Sequence, residues 1–132
     1  MNRIVARFQD GRVLKGFTTD FLPTNGSFHI VLEGQGAAAK ALEVHVPELK
    51  ALFFVKTFEG DPQHHESIEP PPEKVGGGRR IRVAFKDGEV IAGTTQGYDR
   101  SRPGFFVVPA DPASNNERCF VVSAATQEVG FL

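Results

Sequence analysis

The residues best equipped for chemistry are five arginines in the second half of the chain: Arg79, Arg80, Arg82, Arg100 and Arg102. A guanidinium group is a planar fork of N–H donors. It binds phosphate or a guanine edge through two parallel hydrogen bonds. Three of the five stand in Arg79-Arg80-Ile81-Arg82 and two in Asp99-Arg100-Ser101-Arg102-Pro103-Gly104. If the second run is a turn that folds back over the entry of the first, the cations share one patch. Arg79, Arg80, Arg82, Asp99, Arg100, Ser101, Arg102 and Gly104 are then a candidate anion or nucleotide site. A solvated basic face is the plainer reading.

The other reactive types are scattered. His64-His65 lies beside Asp61 and Glu66 in a stretch with linker composition, without the rigid frame that a metal site needs. His29 and His45 fall on neighbouring strand-like runs, where a pair of surface histidines is preferred to a ligand pair. Cys119 stands beside Phe120 and Val121 and reads as a small buried hydrophobe rather than a nucleophile. Gly76-Gly77-Gly78-Arg79-Arg80 resembles a phosphate loop in composition only, and it precedes a strand rather than a helix. No Ser/His/Asp set or carboxylate pair stands in a catalytic context. The expectation is therefore a protein that is not an enzyme and has no cofactor and no metal. The remaining surface of interest is apolar. Phe53, Phe54, Phe105 and Phe106 fall in runs without alternation, which suit strands covered on both faces, and they are the candidate contact surface for a partner.

These groups need a frame, and composition bounds it. The 132 residues include 15 Lys plus Arg against 16 Asp plus Glu, one Cys, 14 Gly, 9 Pro and 12 Phe, with no Trp. The absence of a basic excess makes nucleic acid an unexpected partner. A single cysteine excludes an internal disulfide framework and fits a cytoplasmic protein. No apolar run reaches the length of a membrane span, and the N-terminus has no signal-peptide pattern. Short β-rich runs between glycines and prolines point to an all-β fold.

The organising feature is a duplication, with one β-unit at residues 3–57 and again at 80–132. Shifted by 77 residues, 3–34 aligns with 80–111 without a gap. Identities fall at Arg3/Arg80, Ile4/Ile81, Phe8/Phe85, Asp10/Asp87, Gly11/Gly88, Val13/Val90, Gly16/Gly93, Thr18/Thr95, Phe28/Phe105 and Val31/Val108. About two would be expected at average residue usage. In the second copy Ile81, Val83 and Phe85 alternate with Arg82, Ala84 and Lys86, the period of a strand with one buried face. Asp10-Gly11 and Asp87-Gly88 predict hairpins with type I′ turns. Gly16 and Gly93 predict a sharp bend in the second strand of each copy. The fourth and fifth strands are expected near 43–46 and 51–57, and at 118–122 and 128–132. The alignment there is read as slipped by one residue. Residues 34–40 read as a loop. Between the copies, Pro70-Pro71-Pro72 and Gly76-Gly77-Gly78 mark a flexible linker. The expected domains are 1–59, a 60–78 linker and 79–132.

Three resemblances follow. Residues 7–16 and 49–58, with Phe85-Lys86-Asp87-Gly88 and Arg102-Pro103-Gly104-Phe105-Phe106, resemble an uncharacterised bacterial family of tandem β-domain proteins, across nearly the whole chain outside the linker. Phe8, Asp10-Gly11, Val13 and Gly16 are similar to the first motif of Sm-like barrels, which implies a bent barrel of about five strands. The Arg-Gly pair that Sm proteins use for RNA has no counterpart in either copy, so RNA binding does not carry over. Asp99-x-Ser101-x-x-Gly104 after an arginine-rich strand is similar to PilZ barrels, which implies cyclic di-GMP binding, although the arginines lack the family's spacing.

The fold expectation is two tandem Sm-like or split β-barrels joined by a Pro/Gly-rich linker. The function expectation is a bacterial regulatory module acting by protein–protein interaction or self-association. A cyclic dinucleotide or other anion sensor is the alternative and Sm-like RNA binding the second alternative, with the second copy suited to the charged ligand and the first to the apolar contact.

Overall fold

The computed structural model describes residues 2–34, 40–60, 78–111 and 113–131. Most of the expected linker (61–77), including His64, His65 and Pro70, lies outside the described residues, as do 35–39 of the expected 34–40 loop. The fold is all-β. In chain order the strands are β1 (Asn2–Phe8), β2 (Val13–Thr18), β3 (Ser27–Leu32), β4 (Ala41–His45), β5 (Leu49–Val55), β6 (Arg79–Phe85), β7 (Val90–Thr95), β8 (Gly104–Pro109), β9 (Asn116–Val122) and β10 (Thr126–Phe131). One turn of 3₁₀ helix precedes β5 (Val46–Glu48) and another precedes β10 (Ser123–Ala125).

All ten strands pair antiparallel into one open sheet, ordered β10-β6-β7-β8-β9-β5-β1-β2-β3-β4. Each half contributes five strands in the same relative order. Among the described residues the pairing closes neither half into a separate barrel. The edge of β5 that a closed first half would use is taken by β9 of the second half, in the register Ala51↔Val121, Leu52↔Phe120 and Phe53↔Cys119.

The hairpins differ from expectation in their turn type. No described non-glycine residue has positive φ, so neither Asp-Gly forms a type I′ turn. Instead Gly11 and Gly88, both at φ 96°, close three-residue loops. Phe8 N–H donates to Arg12 O at 2.9 Å and Gly11 N–H to Phe8 O at 3.1 Å; Phe85 and Gly88 repeat the pattern with Glu89 O and Phe85 O. This is a type I turn with a glycine bulge, and it places the aspartate where its carboxylate caps the loop. Asp10 Oδ1 accepts from Arg12 N–H, and Asp87 Oδ1 from Glu89 N–H, each at 3.0 Å. Gly16 and Gly93 sit where two strands approach closely. A Cβ there would stand 2.2 Å from Val31 O and 1.9 Å from Val108 O, so only glycine lets β2 and β7 cross their neighbours this closely.

The 77-residue shift holds through every element, which corrects the slip read into the last two strands. Ile4↔Phe54 in β1–β5 matches Ile81↔Phe131 in β6–β10, and Phe8↔Leu49 matches Phe85↔Thr126. A bulge falls at the same place in both pairs.

Two apolar cores result. Ile4, Ala6, Phe8, Phe28, Ile30, Leu52 and Phe54 build the first, completed by Phe120 and Val122 of the second half. Ile81, Val83, Phe85, Phe105, Val107 and Cys119 build the second, completed by Val5, Ala51, Phe53 and Val55 of the first half. Strand β5 therefore alternates between two cores and is buried on both faces, which is why its sequence lacks polar alternation. Burying a side chain such as Phe120 or Leu52 contributes about 1.5–3 kcal/mol. At the rim of this contact Lys50 pairs with Asp87 and Glu89 of the other half and lies 4.7 Å from the Phe85 ring centre. Asn115 clamps the far end: its Nδ2–H donates to Thr57 O at 2.8 Å and its Oδ1 accepts from Thr57 N–H at 3.0 Å.

Candidate functional site

The sequence places two candidate sites, and the structure distributes their residues differently. Arg79 and Arg82 leave opposite faces of β6, as their odd separation requires. Arg79 is exposed, with its guanidinium carbon 4.0 Å from the centre of the Phe131 ring. Arg82 is exposed on the other face and lines a depression of about 250 Å³ with Ala84, Glu128 and Gly130. Arg80 is half-buried on the same face as Arg82.

The turn at 99–102 is tied largely to itself. Asp99 Oδ1 accepts from Ser101 Oγ–H at 2.6 Å and from Ser101 N–H at 2.9 Å, and Arg102 N–H donates to Asp99 O at 3.0 Å. These hydrogen bonds from Ser101, with the nearby Arg102 charge, hold the Asp99 carboxyl below its usual range. Arg100 is exposed, and the Arg102 Nε stands 3.9 Å from Asp99 Oδ2. Gly104 is buried, and a Cβ there would lie 2.3 Å from Val121 O and 2.6 Å from the Phe120 ring, so the close contact needs glycine. Each element of the Asp-x-Ser-x-x-Gly pattern thus has a folding role.

The four phenylalanines offered as a partner surface are occupied within the chain. Phe53 and Phe105 pack into the second core, and Phe54 into the first, with Phe106 half-buried against it. The outer face of 52–55, expected to meet either the second copy or another chain, is met by the second copy.

His29 and His45 share the outer face of β3 and β4, since Ser27↔His45 and His29↔Glu43 are cross-strand pairs. His29 Nδ1 lies 2.7 Å from Asp20 Oδ2, and His45 Nε2 lies 3.4 Å from Glu43 Oε1. Hydrogen bonds from His29 hold Asp20 below its ordinary range. Among the described residues no three His, Cys, Asp or Glu side chains gather in a way that could hold a metal ion. Cys119 is buried in the second core. No described helix is long and apolar enough to cross a membrane.

What the structure does assemble is an aromatic mouth at one end of each core. In the first half Phe21 meets Phe28 and Phe120, each at 5.1 Å, and Phe54 at 6.0 Å, all edge-to-face. Phe106 adds a contact to Phe120 at 5.2 Å. In the second half Tyr98 meets Phe105 at 4.8 Å and Phe131 at 5.5 Å. The 77-residue shift relates Tyr98 to Phe21, Phe105 to Phe28 and Phe131 to Phe54. The first mouth is filled by rings from the other half, whereas the second is bordered by Arg79 and by β10, beyond which no described strand lies.

The family model described as "Family of unknown function (DUF6982)" matches residues 1–132. The chain belongs to this family. Comparisons with curated proteins and with solved structures gave no match. Architecture and surface chemistry are therefore the basis for a functional reading of this family member.

The sequence reading missed Lys50, Val129 and Phe131. The supposed one-residue slip hid the equivalence of Phe54 with Phe131. The Phe21/Tyr98 substitution was the available signal. A further depression, of about 270 Å³, was also missed. It is lined by Asn2, Arg3, Phe17, Phe54, Val55, Glu117 and Arg118.

Proposed function

We propose that this chain is a non-enzymatic binding module that acts by protein–protein interaction in bacterial regulation, through the open edges of its sheet. One observation carries the reading: a ten-stranded antiparallel sheet ends in β4 on one side and β10 on the other. A strand edge is a row of backbone donors and acceptors ready to pair with another chain. Four aspartates have folding roles that support binding over catalysis: Asp10, Asp87 and Asp99 cap turns and Asp20 anchors His29. The close-approach glycines Gly16 and Gly93 and the two cores support a reading as Sm-like halves fused side by side.

The test is site-specific photo-crosslinking of the full chain in bacterial cells, with a photoreactive residue replacing Leu42 on β4 or Gln127 on β10. Discrete adducts from one or both edges are expected. Absence of adducts from both overturns the reading.

A second reading, binding of a cyclic dinucleotide or other anion, is favoured by the depression between Arg3 and Arg118. The Arg118 guanidinium stacks 4.3 Å from the Phe54 ring centre and 4.7 Å from that of Phe106. Calorimetry with cyclic di-GMP and with pyrophosphate tests it. Heat that disappears in Arg118→Ala supports the reading, and no heat with either ligand removes it.

A further inference from the structure

We infer that β10 accepts an extended segment of a different protein as an added antiparallel strand, whose alternate large apolar side chains enter the mouth of Tyr98, Phe105 and Phe131. This rests on the reading of the chain as a protein-binding module and names the edge and the partner's chemistry.

The template lies within the molecule. Strand β9 pairs antiparallel with β5 and sets Phe120 opposite Leu52. Phe120 and Val122 close the first core, and Leu52 and Phe54 are left 0% and 5% exposed. The second half repeats the acceptor. Val129 and Phe131 stand on β10 where Leu52 and Phe54 stand on β5, and they face Val83 and Ile81 as the originals face Ala6 and Ile4. No described strand lies beyond β10, and Val129, Gly130 and Phe131 all stay half-exposed. A Cβ added to Gly130 would meet nothing within 4 Å, whereas the equivalent Phe53 is packed into a core. Arg79 lies over Phe131 as Arg118 lies over Phe54. Among the described residues the acceptor positions are present and no donor strand pairs with them.

The donor is not a second copy. Among the described strands the other open one, β4, carries Glu43 where β9 carries Phe120 and His45 where it carries Val122, and the adjoining β3 has His29 in place of Phe106. In the template register Glu43 would face Val129, bringing a carboxylate against the second core. Burying such a charge without a partner is prohibitively unfavourable. The hairpin contact is lost too, because Gln127 replaces Lys50. The fitting partner is a strand with large apolar residues where β9 carries Phe120 and Val122, and no carboxylate on that face.

The probe is a labelled peptide with the β9 sequence, residues 116–122 carrying Cys119→Ser, titrated into the full chain up to about 1 mM. The readouts are fluorescence anisotropy and hydrogen exchange. Saturable binding is expected, with new protection of amides in 127–131. A peptide carrying Phe120→Glu should bind at least tenfold more weakly. Gly130→Lys, which has open space and keeps the fold, should weaken the original peptide by a similar factor. Phe131→Ala should do the same.

The inference is overturned by no saturable binding, by equal binding of the Phe120→Glu peptide, or by protection at β4 or β5 instead. A concentration-dependent mass of the chain alone, abolished by Gly130→Lys, would make a second copy the occupant and overturn it as well. Crosslinks from position 42 but not 127 would leave the protein-binding reading standing and remove this inference. Crosslinks from neither position would remove the reading on which it rests.

Discussion

At position 120 the chain carries a phenylalanine, and 77 residues earlier, at the equivalent point of the first half, a glutamate. Phe120 is buried between the halves, while Glu43 is exposed on an open edge. The same contrast runs along both strand pairs. Val122 answers His45, and Phe106 answers His29. Across the contact, Ala51 and Phe53 answer Glu128 and Gly130. The backbones keep one pairing pattern, so the difference between a joined edge and an open one lies in side chains alone. Duplicating a unit with two open edges gives four. In this chain two are apolar and joined, β4 is polar, and β10 combines the exposed Gln127 and Glu128 with the half-exposed Val129 and Phe131. Charges on an edge are a recognised guard against indiscriminate pairing.

The sharpest way to break this comparison is to truncate its two ends. Phe120→Ala should lower stability by about 3–5 kcal/mol, the usual loss for a buried phenylalanine. Glu43→Ala should stay within about 0.5 kcal/mol, as for exposed sites. Urea unfolding measures both, and similar losses would show that the two edges are equivalent after all.

Converting one edge into the other is the next test. Glu43→Phe combined with His45→Val makes β4 resemble β9, so β10 of one copy gains an acceptable donor on the next. Such a head-to-tail contact does not close on itself and should produce oligomers that grow with concentration. Sedimentation velocity should show them in the double variant and not in the parent chain.

A smaller effect is expected at the rim. Lys50→Ala should cost about 1 kcal/mol, because its carboxylate partners are half-exposed and screened. Gln127→Ala should change stability by less than about 0.5 kcal/mol in the same assay.

The mildest test is pH. Burial pushes the Lys50 ammonium down, but Asp87 and Glu89 outweigh it and hold it above its ordinary 10.5. Asp87 is held below 3.8, first by Lys50 and then by the Glu89 N–H. The Asp87 contribution to stability is present above pH 3.8 and lost as pH falls through the folded value. The Lys50 contribution is present below pH 10.5 and lost as pH rises through its folded value. Unfolding midpoints at acid, neutral and alkaline pH should show both arms in the parent chain. Lys50→Met should flatten them.

Much of the frame was legible in the residues. Alternation in 81–85, the Asp-Gly loops and the run at 52–55 gave strand positions, hairpins and a strand buried on both faces. Identity between the copies fades in their last two strands because the side chains there face different surroundings: a core in one copy, solvent in the other. The register persists because the 77-residue offset is kept from the first strand pair to the last. The turn type was misread because Asp-Gly also suits a type I turn followed by a glycine bulge. The arginines looked like one cluster because linear proximity ignores the pleat, which sends Arg79 and Arg82 to opposite faces. That β5 and β9 would pair was beyond local pattern, since it joins residues 51 and 121.

That long-range pairing also has a consequence in time. The first half leaves the ribosome with the β5 edge and its outward phenylalanine uncovered, and β9 is complete only when residue 122 has been added. At about 5–20 residues per second the delay lasts roughly 3–13 s. For that interval an apolar strand edge is exposed to other nascent chains. Synthesis speed and chaperone access, rather than final stability, would then set the yield of native protein.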